Sequence, residues 1–170
     1  MKSRPFPVIV CSLVALMLLV VAGHTVAKDK KKKTAYCSNA HPEQPCTAAN
    51  TCGANGSACV LEVKRTEGGS DASVTPNIAN FPKDTVLCIQ TGAKVTWQGA
   101  GKNTGVMVDF GESSPFDPPG TIMGGSDRPI TVVAKKAGCY KYTLGACTPG
   151  SIYGMCGNSD LELIVTSSSK

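Results

Sequence analysis

Imidazole is scarce in this chain: its 170 residues include two histidines, His24 and His41, and a single tryptophan, Trp97. Nucleophilic hydrolysis through a Ser-His-Asp or Cys-His set needs an imidazole beside the nucleophile to take its proton. Only His41 lies beyond residue 27, where the N-terminal leader described below ends, next to Pro42 in a loop-like segment, so that chemistry has no support. Zinc-binding Cys-x-x-Cys pairs are missing from the cysteine-rich stretch 37–59, where the gaps between successive cysteines hold eight, five and six residues. The body of the chain beyond the N-terminal lysine run is close to neutral, at −1, which argues against a phosphate-reading nucleic-acid face. No window has the period of a long amphipathic helix, and there is no internal repeat. The glycine pairs Gly124-Gly125 and Gly99-Ala100-Gly101 precede no helix and therefore form no phosphate cradle.

What is present begins with a leader. Lys2 and Arg4 precede an apolar run from Phe6 to Gly23, followed by the small residues Thr25, Val26 and Ala27. This pattern predicts a signal peptide cleaved after Ala27, with a retained membrane anchor as the alternative. Residues 28–36 read as a lysine-rich flexible tail, weakly attracted to anionic surfaces. Of the formal charge of +5, the leader removes two positive charges; the Lys28–Lys33 run then carries +4 of the remaining +3, which leaves the body at −1.

Cys11 lies in the leader, and eight cysteines follow it: Cys37, Cys46, Cys52, Cys59, Cys88, Cys139, Cys147 and Cys156. An even count in an exported chain predicts disulfides, and so a secreted, periplasmic or cell-envelope location. The expected connectivity is local: bridges within Cys37–Cys59 and others among the last four, with Cys147 to Cys156 pinning the final loop. Residues 37–59 are read as a disulfide-rich loop segment, 60–166 as a β-sandwich and 167–170 as a disordered end. Short β-rich runs separated by Gly, Pro, Asn and Asp predict strands at 60–64, 72–78, 85–90, 94–97, 105–110, 130–134, 139–144 and 161–166. Val106, Val108 and Phe110 alternate with Met107 and Asp109, which predicts opposite faces of one strand. Residues 111–129 are expected to be an exposed irregular excursion.

The order of these segments carries a resemblance. The run Leu87-Cys88-Ile89-Gln90-Thr91-Gly92-Ala93-Lys94-Val95-Thr96-Trp97 resembles the opening hairpin of the cupredoxins, the blue-copper-protein fold. Gly105 to Phe110 is similar to the core strand that follows, Gly138-Cys139-Tyr140-Lys141-Tyr142 to the strand leading into the copper loop, and Asp160 to Val165 to the closing strand. The resemblance implies an all-β Greek-key sandwich of about eight strands. It does not bring the copper, because a type 1 site needs two histidines and a cysteine thiolate, usually with an axial methionine. The residues between Trp97 and Val106 contain no histidine. Aligning on Gly138-Tyr140-Tyr142 puts Leu144 at the cysteine ligand and Cys147 at the second histidine, and aligning on Cys147 and Met155 puts Gly150 there.

The chain is therefore read as an exported, monomeric, non-catalytic and metal-free binding or structural module. Its partner is expected to be a protein or a cell-envelope component, with no cofactor and no nucleic acid. Phe116 and Tyr153, in the loops 113–128 and 148–153, are the expected partner-binding residues, with the loop 99–104 as a third such segment. One alternative is an electron-transfer or copper-carrying protein with an unorthodox sulfur site drawn from Met107, Met123 or Met155. Another is a secreted hydrolase using Asp109, Glu112 and Asp117, the densest acidic cluster, although the expected fate of those carboxylates is solvation.

Overall fold

The computed structural model describes residues 35–66, 72–78, 86–148, 151–153 and 161–167. The leader, the lysine run, Met155 and Cys156 lie outside them. The described residues form two β-sheets with no α-helix among them, only short 3-10 turns at Tyr36–Ser38 and Ala54–Gly56.

Twelve strands run through the described residues: β1 (Thr51–Cys52), β2 (Cys59–Arg65), β3 (Ala72–Pro76), β4 (Leu87–Gln90), β5 (Lys94–Gly99), β6 (Gly105–Asp109), β7 (Phe116–Asp117), β8 (Ile122–Gly125), β9 (Ile130–Ala134), β10 (Gly138–Thr148), β11 (Ser151–Tyr153) and β12 (Leu161–Thr166). All eight expected strands are present. The other four lie where none was expected, and β7 and β8 are inside the supposed excursion 111–129. That expectation is corrected by Phe116 and Ile122, which are 3% and 4% exposed and tie the segment to the core.

One sheet has the order β1-β4-β12-β10-β6-β8, with β11 also on β10, and the other β3-β2-β5-β9-β7. The pairs β1/β4, β4/β12 and β2/β5 are parallel, and the rest are antiparallel. Alternation puts Leu61 and Val63 of β2, Val95 and Trp97 of β5, Val132 and Ala134 of β9, and Val106 and Val108 of β6 into one core between the sheets. Tyr142, Leu144 and Ala146 of β10 and Leu163 and Val165 of β12, in the same sheet as β6, complete it. At its centre Trp97 meets Phe116 and Tyr142 edge-on, with ring centroids 6.3 and 6.4 Å apart. These aromatic contacts offset a cost, because the Trp97 indole N–H is buried without an acceptor. Gly99 ends β5 where the Thr104 backbone occupies the space a Cβ would need.

β4 and β12 do not alternate. In β12, residues 162–165 are all buried, because the outer face of this part of the sheet is covered as well. Val86, Cys88 and Ile164 form a second small core there, packed against Tyr36, Cys46 and Cys139. The cover is the N-terminal segment, bonded across the fold by Cys37–Cys139 and Cys46–Cys88; Cys52–Cys59 closes a short local loop. The expected local pairing is corrected on the first two. Sequence distance is no guide here, because β10 and β4 reach the segment through the sheet. Glu162 completes the attachment: its carboxylate accepts hydrogen bonds from the backbone N–H groups of Tyr36, at 2.6 Å, and Cys37, at 3.2 Å.

Removing the bridges one pair at a time should rank them by the loop each closes. Cys37→Ser with Cys139→Ser, spanning 102 residues, should cost roughly 4 kcal/mol, and Cys52→Ser with Cys59→Ser, spanning 7, roughly 2. Chemical denaturation of the two double variants checks the order.

Candidate functional site

Among the described residues a groove of about 420 Å³ opens at one end of the seven-stranded sheet, over β6 and β8, the turn after β8 and the last residues of β10. Strand register explains its chemistry. Val106 and Val108 point inward, so Gly105 and Met107 face outward; Met107 pairs with Met123 on β8 and Gly105 with Cys147 on β10. Glycine makes the depression: a Cβ built on Gly105 would stand 3.2 Å from the Cβ of Cys147. Gly124 and Gly125 also line it, and neither has room for a side chain: a Cβ would stand 2.9 Å from Ile130 Cγ1 at the first and 3.0 Å from the Thr104 carbonyl oxygen at the second.

The rim is held by backbone. Ser126 N–H donates to the Thr104 carbonyl at 2.9 Å, Gly125 N–H to that of Arg128 at 3.0 Å, and the Thr104 hydroxyl to that of Ala100 at 3.2 Å. Asn103 sits in the left-handed region at φ 58°, where asparagine is tolerated because its short polar side chain bonds locally. Met123 is 65% exposed, the one large hydrophobic residue so exposed among those described. Cys147 is half-buried and has no disulfide among the described residues.

The expected site residues are distributed differently. Phe116 is corrected: it packs against Trp97 and Phe110 and offers nothing to a partner. Tyr153 lies in β11, opposite Ala146. From two of the three expected loops, 99–104 and 113–128, the structure brings Asn103 and Thr104 together with Ser126, Asp127 and Arg128 at the groove. Met107 and Met123 were legible as residues but not as neighbours, since that requires β8, whose two glycines read as a turn.

The acidic cluster does not converge. Asp109 ends β6 in one sheet, where its carboxylate accepts from the Gly111 N–H and the Thr121 hydroxyl. Asp117 belongs to β7 in the other sheet, and both it and Glu112 are exposed. His41 is exposed, 3.5 Å from Glu43. Among the described residues no three His, Cys, Asp or Glu side chains gather as a metal site.

Nor do the residues present fit type 1 copper. Leu144, at the position matched to the cysteine ligand, is 1% exposed in the core, while Cys147 faces outward from the same strand. Thr104, last of the residues between β5 and β6, is itself buried, its hydroxyl bonded to Ala100.

No family model, curated protein or solved structure matches the chain. Six cysteines joined in three disulfides belong to an oxidising environment outside the cytoplasm. No helix among the described residues is long and apolar enough to cross a membrane.

Desolvation raises the phenol pKa of Tyr142, which is buried in the core, far above its usual value, and that of Tyr140 by the same cause. A raised pKa costs nothing while both folded and unfolded phenols are protonated. Once pH passes the ordinary tyrosine value of about 10, only the unfolded chain ionises freely, so stability should fall as pH rises further. Ultraviolet titration should show Tyr142 ionising only with unfolding, and Tyr142→Phe should lessen the alkaline loss.

Proposed function

We propose that the protein is an exported, non-catalytic binding module: a metal-free sandwich of cupredoxin-like Greek-key type whose ligand, a protein or cell-envelope component, docks in the groove between β6, β8 and β10. The observation that carries this reading is the groove itself. It combines apolar, polarisable thioethers with a polar rim, on a frame cross-linked against deformation. Methionine-lined surfaces adapt to varied apolar partners because the side chain is unbranched and flexible. Further support comes from the scattered carboxylates and the lone described histidine, which offer no acid–base pair at the groove.

Met123→Lys should test it. Its side chain is exposed, so the change should leave unfolding nearly unmoved while lowering binding to isolated cell-envelope fractions by at least about tenfold, as expected for a charge placed in an apolar contact. Undiminished binding would remove the groove from the function.

Carriage of a soft cation is a second reading, favoured by one specific observation: Cys147 is unpaired among the described residues and faces outward with Met107. Thiolate and thioether are soft donors suited to monovalent copper. In the preferred reading Cys147 and Cys156 form a fourth bridge, so the unfolded, unreduced mature protein should show no reactive thiol. One thiol per chain in that titration, with copper retained through dialysis, would favour the second reading.

A further inference from the structure

A second surface lies away from the groove, where the N-terminal segment is bonded to β10. Lys135 and Lys136 follow β9, and Lys141 stands on the outer face of β10; all three are exposed. Cys139, between them in sequence, carries the disulfide to Cys37. The first described residues therefore lie at this corner, and in sequence Tyr36 is only three residues beyond the last lysine of the Lys28–Lys33 run.

The charge here is only partly offset locally. None of the three lysines has a carboxylate within ion-pair distance among the described residues, where the ion pair found is His41 with Glu43. The two carboxylates nearest by register are Glu162, opposite Lys141, and Asp117, opposite Val133 two residues before Lys135. Glu162 is 9% exposed and gives both oxygens to the amides of Tyr36 and Cys37, so of these two Asp117 is the exposed counter-charge. Tyr140 steadies the turn by donating its hydroxyl proton to the Lys136 carbonyl at 3.0 Å. A body of net charge −1 thus carries a cationic corner.

We propose that this corner docks on an anionic phospholipid surface. Charge spread over a plane suits exposed lysines with no pocket among them, whereas a discrete anion would need converging donors. Lipid is the source to which the sequence points, since the apolar run 6–23, read above as an export leader, would bring the N-terminal side of the chain to a membrane during export. Orientation follows: with the Cys139 corner on the headgroups, the protein is held by the end at which its N-terminal segment is attached. The idea is independent of what occupies the groove.

The test is co-sedimentation of the exported, disulfide-bonded protein with vesicles of phosphatidylcholine alone or with phosphatidylglycerol added, and with inorganic polyphosphate as competitor. Each lysine near an anionic surface contributes about fivefold at low salt. Lys135→Gln, Lys136→Gln and Lys141→Gln together should weaken binding to the anionic vesicles at least about tenfold and leave phosphatidylcholine binding unchanged. A control carrying Lys64→Gln and Lys102→Gln, exposed lysines elsewhere, should bind as the wild type. If the triple variant misfolds, Lys141→Gln alone, at about fivefold, carries the test. Equal binding by the triple variant and wild type, equal loss in the control, no wild-type binding to anionic vesicles, or preferential capture by polyphosphate at matched phosphate would each overturn the proposal.

Discussion

Two disulfides between distant parts of the chain, Cys37–Cys139 and Cys46–Cys88, allow β4 and β12 to be apolar on both faces. Without a cover, Val86 and Ile164 would stand in water on the outside of the sheet, at a cost of about 1.5–3 kcal/mol for each side chain left exposed. The N-terminal segment supplies that cover, and too little of it is apolar to hold itself down by burial alone. Covalent bonds and the Glu162 carboxylate do so instead, and β1 extends the sheet beyond β4. Because this attachment requires oxidised sulfur, fold and compartment are linked through the same bonds.

The covering stops partway across the sheet. Its bonded positions are on β4 and the first half of β10, and the small outer core lies between them. Beyond it, β6, β8 and the second half of β10 carry Gly105, Met107, Met123 and Cys147 on their outward positions. One sheet face is thus divided between a protected half, where the chain is attached, and a sulfur-bearing half that no described segment covers. β10 belongs to both, pairing with β12 along Gly138–Tyr142 and with β6 along Thr143–Cys147. Any function assigned to the groove rests on the rigidity of that long strand.

The inner core shows the same economy of aromatic residues. Trp97, Phe110, Phe116 and Tyr142 are the large rings between the sheets, and each of them touches at least one other. Phe116 reaches them from a segment full of proline, glycine and serine, which explains why an apparently irregular stretch is ordered at Ser114, Pro115 and Phe116. Lys135 and Lys136 N–H groups both bond the Pro115 carbonyl, fastening that segment to the turn after β9. The buried indole N–H of Trp97 shows that packing outweighed hydrogen bonding at the centre.

Local pattern was enough to determine an all-β protein with oxidised cysteines. Alternation at Val106, Val108 and Phe110 encodes which side of β6 is apolar, and that signal survives without knowledge of neighbours. The β-rich run 161–166 marked β12, though not what would lie on its second face. Tertiary structure alone decided which cysteines meet, since partners 42 and 102 residues apart become adjacent only through strand order. It alone withdrew Phe116 from the surface and made Ile122-Met123-Gly124-Gly125 a strand, because glycines pair in a sheet when β6 is there to receive them. The groove belongs to this second category: its residues are visible one by one in the sequence, but their proximity is a property of register, which no single segment contains.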